Sequence, residues 1–258
     1  MARLARAVIP GVPHNVTQRG NRRLVTFFEP DDPALYLEIL TEECRRYSVE
    51  IWAYCVMPNH VHLIAVPETE DGLRRAMGET HRRYTAIINK RQGWTGHLWQ
   101  GRFFSFPMDQ RHTLAAARYV ELNPVRAKMV ERPQDYAWSS AVPHLQGRDD
   151  RLVRVAPLLD LIGERDWGAF LGAGTPAELE ALREHETTGR PLGDNDFVDR
   201  MELRMGRALR PRLRGPQPRG LLHPTPVGDS YGVPETPTLV DEGVVFGDAV
   251  AGGDARVH

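Results

Sequence analysis

His60-Val61-His62 sets two imidazoles one residue apart inside the run Val56-Met57-Pro58-Asn59-His60-Val61-His62-Leu63-Ile64-Ala65-Val66. The residues around them are apolar and rich in β-branched types, which predicts a strand. Strand side chains alternate with period two, so both imidazoles face one side. Imidazole is the commonest protein metal ligand near neutral pH. Such a pair reads either as half of a metal site or as two partly buried histidines satisfied by hydrogen bonds. A second group of chemistry-bearing residues closes an alanine-rich stretch, Tyr119-Val120-Glu121-Leu122-Asn123. Residues four apart on a helix are about 40° apart around the axis, so Tyr119 and Asn123 share a face. An amide oxygen suits a hard divalent ion such as Mg²⁺ or Mn²⁺. Taken alone, Asn123 before Pro124 is a helix stop and Tyr119 is a packing tyrosine.

Together the two groups have a chemical logic. Two imidazoles and one amide oxygen hold a divalent ion and leave positions open for the non-bridging oxygens of a phosphodiester. A tyrosine hydroxyl beside that ion is a nucleophile, and its attack gives a covalent phosphotyrosine that conserves the energy of the broken bond. Tyr84 is the alternative nucleophile, beside His81, Arg82 and Arg83. Its neighbour four residues on is Ile88, and Asn89 is turned about 140° away, so Tyr119 is preferred. His14 reads as a group supporting the site or as a buried histidine. Arg102, Arg118 and Arg126 are candidate phosphate contacts because guanidinium recognises phosphate in a bidentate, planar way; each also reads as a surface ion pair. Trp99 reads as a base-stacking residue or as core.

The elements that must position these residues follow from local pattern. Residues 14–19 read as a first strand before a Gly20-Asn21 turn, and 31–47 as a helix through Leu35, Ile39 and Leu40. Residues 49–56 and 60–66 read as strands joined by a short hairpin link. Residues 71–91 read as a long helix, 99–108 as a strand and 113–122 as a helix stopped by Asn123-Pro124. The order β-α-β-β-α-β predicts an α+β, ferredoxin-like (split βαβ) antiparallel sheet with helices on one face. Short helical segments follow, with longer helices expected over 176–185 and 195–209. Arg204, Arg207, Arg210, Arg212, Arg214 and Arg219 form a run free of acids that fits either a DNA-touching or a solubilising segment. The expected organisation is a catalytic domain over 5–130, a helical, basic extension over 131–214, and a disordered Gly/Pro-rich acidic tail over 215–258.

Composition agrees with a DNA partner. The 258 residues carry a net charge of −1, but residues 221–258 hold six acids against one arginine, so residues 1–220 stand at +4. From Arg74 to Arg126 there are ten basic residues and three acids, interleaved with Tyr84, Trp94, Trp99, Phe103, Phe104 and Tyr119. Cations meet phosphates, and flat side chains stack on unpaired bases. The two cysteines, Cys44 and Cys55, lack metal-type spacing, and the N-terminus lacks the pattern of a signal peptide. No apolar run is long enough to span a membrane. These features predict a reduced, cytoplasmic protein.

The chain resembles the REP-associated tyrosine transposases, within the single-strand DNA transposases that pair a His-hydrophobic-His motif with one catalytic tyrosine. The resemblance is carried by residues 11–21 (GVPHNVTQRGN), 57–62 (MPNHVH), 96–103 (GHLWQGRF) and 119–127 (YVELNPVRA), and it spans roughly residues 5–145. It implies that His60, His62 and Asn123 bind the metal and that Tyr119 attacks the scissile phosphate. It further implies a 5′-phosphotyrosine, a free 3′-OH and single-stranded or hairpin DNA as substrate. A monomer or a homodimer fits, with the tyrosine serving its own or a partner's histidines. Competing readings are a replication or transfer nickase with the same chemistry, a metal hydrolase that activates water, and a non-catalytic nucleic-acid-binding module.

Overall fold

Strand alternation and two turn-closed crossovers build one antiparallel sheet in the computed structural model, which describes residues 6–210. The strands are β1 (His14–Arg19), β2 (Val49–Met57), β3 (His60–Pro67) and β4 (Phe104–Pro107), in the order β2-β3-β1-β4. This is the expected split βαβ order. The Pro58-Asn59 link sets Met57 opposite His60 and Cys55 opposite His62. On the other side of β3, Arg19 lies opposite His60 and Thr17 opposite His62. The histidines therefore sit on an interior strand, each flanked on both sides.

The period-two pattern of β3 divides the protein into two cores. Val61, Leu63 and Ala65 face α1 (Asp32–Arg46) and α2 (Gly72–Gln92), whose Tyr36, Ile39, Leu40, Leu73, Met77 and Ile88 complete that core. His62 and Ile64 face the other way. There Ile64, Ala53, Cys55 and Phe106 pack with Ala115, Ala116 and Val120 of α3 (Gln110–Glu121). Each fully buried Leu, Ile or Phe contributes about 1.5–3 kcal/mol, so both faces are firmly held. The expectation of helices on one face holds for α1 and α2; α3 and the extension cover the second.

Two elements differ in length from the sequence expectation. The strand expected over 99–108 shrinks to four residues, because Gly96 and Gly101 adopt positive φ and turn the chain before it. The loop between them is tied to β1 by Asn21 N donating to Leu98 O and Gln100 N to Arg19 O, both at 2.8 Å. In contrast, α3 begins earlier than expected, since the Asp109 carboxylate caps it by accepting from His112 N at 2.8 Å.

The helix does not run unbroken from Tyr119 to Asn123. It ends at Glu121, and after Leu122 a separate turn, α4 (Asn123–Arg126), begins. Pro124 has no N–H to give to the ladder, which enforces the break. Helical spacing nonetheless persists, with Arg126 N donating to Leu122 O and Ala127 N to Asn123 O, both at 2.9 Å.

The extension consists of α5 (Ala141–Gln146), α6 (Ala156–Ile162), α7 (Trp167–Gly172), α8 (Pro176–Thr188) and α9 (Asn195–Met205). Its first part covers the open edge of β2: Val56 N donates to Trp138 O, Ser140 N to Tyr54 O and Arg154 N to Ile51 O. Gly189 and Gly206, both at positive φ, stop α8 and α9. Helix α9 with Leu209 buries Phe197 and Met201 against Ala7, Ile9 and Val12. Among the described residues no helix is long and apolar enough to cross a membrane. The tail expected over 215–258, and Arg212, Arg214 and Arg219, lie outside the described residues.

Candidate active site

The imidazoles of His60 and His62 stand with ring centroids 4.9 Å apart at 82°. The Tyr119 ring meets the far edge of this pair, 5.4 Å from His62 and nearly perpendicular to it. A cleft of about 450 Å³ opens beside the histidines, lined among others by Thr17, Arg19, Arg23 and Glu186. Burial, followed by the charge of Arg19, pushes the His60 pKa down to about 4. Burial holds His62 well below the usual histidine range, with His60, Arg126 and Arg19 adding to the effect. Both rings are therefore neutral at physiological pH, the form that ligates metals.

Asn59 fixes how His60 presents itself. Its Nδ2 donates to Arg23 O at 2.9 Å, and its Oδ1 meets His60 Nδ1 at 2.6 Å. A carbonyl only accepts, so the amide nitrogen must face Arg23 and the amide oxygen must face His60. His60 Nδ1 therefore carries the proton, and its Nε2 lone pair is free. The segment that Asn59 grips is strained: Arg22 and Arg23 both sit in the left-handed region, at φ 54° and 63°. Gly20 lets this loop close against the strand, since a Cβ there would stand 2.2 Å from Thr26 Oγ1 and 2.5 Å from Leu24 O.

Arg126 holds Tyr119 in place. Its guanidinium lies 4.1 Å over the Tyr119 ring and donates to the Tyr119 carbonyl at 2.7 Å. Asn123 is buried one turn beyond, and its Nδ2 has no hydrogen-bond partner. His62 Nδ1 and Glu186 Oε1 are also buried and unpartnered. Burial raises the Glu186 pKa, while a hydrogen bond from Asn15 and the charges of Arg19 and Arg183 pull the other way. Two neutral imidazoles and a carboxylate, with His62 Nδ1 and Glu186 Oε1 orphaned, are donors that fit a divalent ion. Among the described residues no three His, Cys, Asp or Glu side chains already stand at metal-ligand spacing.

Residues 13–123 match the family model described as "Transposase IS200 like". The span takes in both histidines, Tyr119 and Asn123. The matched segment is similar to the IS200-like transposases and covers less than half of the chain. The chain is also similar to a candidate REP-associated tyrosine transposase of Haemophilus influenzae, with 26% identity over 110 residues, 38% of this chain and 62% of the relative. The match thus spans about three fifths of that relative's length. Among solved structures, a REP-associated tyrosine transposase bound to a REP hairpin superposes with a TM-score of 0.50 at 22% identity, covering 60% of this chain and 92% of that one. That likeness shows the α+β fold of the sheet and its helices. A candidate transposase from Deinococcus radiodurans aligns with a TM-score of 0.34 at 19% identity, over 46% of this chain and 96% of its own.

The structure brings together His60, His62, Tyr119 and Arg126 from the expected set. Tyr84 is not among them. It is fully buried in the other core, donates to Thr26 O at 3.0 Å and packs against Phe27, Tyr36 and Trp99. Arg118, expected as a phosphate contact, is engaged within the protein. Its Nε donates to Phe170 O at 3.0 Å, its Nη1 to Glu178 Oε2 at 2.8 Å, and its guanidinium stacks on Phe170. Arg126 is a support for Tyr119 rather than a free cation. Arg102 is exposed and lines a separate groove with His81, His97 and Trp99. His14 is a buried histidine bonded to backbone, and Trp99 is core.

The basic stretch is less free than its composition implies, because Arg83 pairs with Glu42 and Glu43, Arg91 with Asp32, and Arg82 with Glu79. In the later arginine run, Arg204 donates to Pro10 O, and Arg210 pairs with Asp199 and Glu202. Sequence reasoning missed Arg19 and Arg23 at the cleft, although Arg19 ends the first strand and Arg23 lies in the turn that directly follows it. It gave no role to Asn59, which adjoins His60. Nothing local marked Glu186, which lies beyond the matched span.

Proposed function

We propose that the protein cleaves and rejoins single-stranded or hairpin DNA, with Tyr119 as nucleophile and His60, His62 and Asn123 as ligands of Mg²⁺ or Mn²⁺. The observation that carries this reading is the perpendicular contact of the Tyr119 ring with His62, on the sheet face that also bears His60. A bound divalent ion supplies charge neutralisation at the phosphate oxygens. Tyr119 Oη forms a bond to the scissile phosphorus as the bond from phosphorus to the 3′ oxygen breaks. The phenolic proton leaves to solvent, and the departing 3′ oxygen takes up a proton to become a 3′-OH. Attack by another 3′-OH reverses these changes, joins the new strand and frees the tyrosine. Arg19 and Arg23 line the cleft beside the histidines, where their charge attracts the phosphate backbone. Histidines and tyrosine come from one chain, so one copy suffices for a cleavage. In this reading residues 5–130 form the catalytic domain and 131–214 its helical extension.

The test is incubation of the full chain with labelled hairpin DNA and Mn²⁺, followed by denaturing gels. A covalent adduct is expected with the natural chain and with Tyr84→Phe, and none with Tyr119→Phe. An adduct that survives Tyr119→Phe but is lost in Tyr84→Phe would overturn the assignment. Hairpin binding with no adduct under any condition would favour a binding module.

A further inference from the structure

Helix α8 of the extension crosses to the histidine face, outside the segment that matches the transposase family. We propose that its Glu186 is a carboxylate ligand of the same divalent ion, so that the extension completes the catalytic site. This rests on the reading that His60 and His62 bind a divalent ion.

Glu186 Oε1 lies 3.8 Å from His62 Nδ1, both atoms are buried, and neither has a hydrogen-bond partner. The distance is too long for a hydrogen bond, and a neutral imidazole offers no ion pair. It is, however, within the reach of two ion–ligand bonds of about 2.0–2.2 Å each. One cation therefore satisfies both atoms at once. Arg19 and Arg183 act on this carboxylate electrostatically, but among the described residues neither forms an ion pair with it, and Oε1 is left without a hydrogen bond.

Glu186 is also held rather than swinging free. The start of α8 is fixed by a capping box in which Thr175 Oγ1 accepts from Glu178 N, while Glu178 also receives Arg118. Its far end is stopped by Gly189. The following segment is stitched to β4, with Leu192 N donating to Pro107 O at 2.9 Å and Asp109 N to Leu192 O at 3.1 Å. Asn15, on β1 and two residues from Thr17, lies near enough to the Glu186 carboxylate to favour its charged form. Supports of this kind hold a ligand in the orientation its ion requires.

Mn²⁺ binding by titration calorimetry and by electron paramagnetic resonance, without DNA, tests the proposal on the full chain. The variants are Glu186→Gln, Glu186→Asp and His62→Ala, with thermal melts of each to verify folding. Glu186→Gln, which keeps the side-chain shape, should weaken Mn²⁺ binding about ten- to a hundredfold and alter the spectrum. Glu186→Asp should fall between it and the natural chain. His62→Ala should lose at least as much. If His62→Ala loses Mn²⁺ while Glu186→Gln binds it as the natural chain does, Glu186 is not a ligand and the histidine reading stands. If neither substitution changes Mn²⁺ binding, the histidine reading fails and this proposal with it. Unchanged Mn²⁺ affinity combined with tighter hairpin binding by Glu186→Gln would make the carboxylate a plug, which also overturns the proposal.

Discussion

The guanidinium of Arg126 lies flat over the Tyr119 ring, 4.1 Å from its centroid, and bonds that residue's own carbonyl at 2.7 Å. One side chain thus fixes both the ring and the backbone of the proposed nucleophile, at the point where α3 gives way to α4. Positioning of a reacting group to within about an ångström is worth orders of magnitude in rate. Arg126→Ala is expected to slow adduct formation at least about tenfold while leaving Mn²⁺ affinity within about twofold. Arg126→Lys should recover little, because an ammonium cannot stack and reach the carbonyl together. Single-turnover rates with labelled hairpin read this directly, and an unchanged rate for Arg126→Ala would remove the positioning role.

Asn59 links the left-handed loop at Arg23 to His60, and its two functions can be separated. Asn59→Ala loses both hydrogen bonds and should weaken Mn²⁺ binding about ten- to a hundredfold. Asn59→Asp keeps an acceptor for His60 but loses the donor to Arg23 O. It should retain most of the Mn²⁺ affinity while the loop loosens, read as faster amide exchange over residues 20–26. Equal metal affinities in Asn59→Ala and the natural chain would show that His60 needs no such support.

Glu121 anchors the extension to α3. Its fully buried carboxylate accepts from Ser140 Oγ and from His144 Nδ1 at 2.6 Å each, and from Trp167 Nε1 at 2.8 Å. His144 in turn stacks on Trp167. Removing the carboxylate strands buried donors at about 1–3 kcal/mol each. Glu121→Ala should therefore destabilise the fold by about 3 kcal/mol, and Glu121→Gln by less, in urea unfolding monitored by tryptophan fluorescence. A midpoint within error of the natural chain would mean that the network carries no stability.

Acid should weaken the fold through its buried histidines. Burial lowers His14 to about 4 and His81 to about 3, from 6.5 in an unfolded chain. Between those values the unfolded chain binds protons that the folded chain does not, so stability falls as pH drops below about 6.5. Each group contributes at most about 1.4 kcal/mol per pH unit across that window. Urea midpoints at pH 7.5, 6.0 and 5.0 should decline in that order, and a flat series would contradict these burial effects.

The sheet was legible because its signals are local. Alternation in 60–66 and the Pro58-Asn59 link specify a hairpin without reference to anything distant. The 99–108 strand was overestimated because two glycines at positive φ outweigh an aromatic pattern that fits a strand. Helix α3 was read three residues short because Asp109 acts as a cap only once the chain turns there.

By itself, then, the sequence determined that His60 and His62 share a face and that Tyr119 and Asn123 follow helical spacing. Both are properties of the backbone within one element. Only the tertiary structure decided which tyrosine meets the histidines. Tyr84 and Tyr119 each lie on a helix beside basic residues, and the choice depends on which sheet face each helix buries against. The same packing turned Arg118 into a strut between α3 and α8, and brought Arg19 and Arg23 to the cleft. It also carried Glu186 to within 3.8 Å of His62. A side chain's direction within its own element is set by local geometry, whereas its neighbours from distant elements are set by how apolar faces pair across the whole fold.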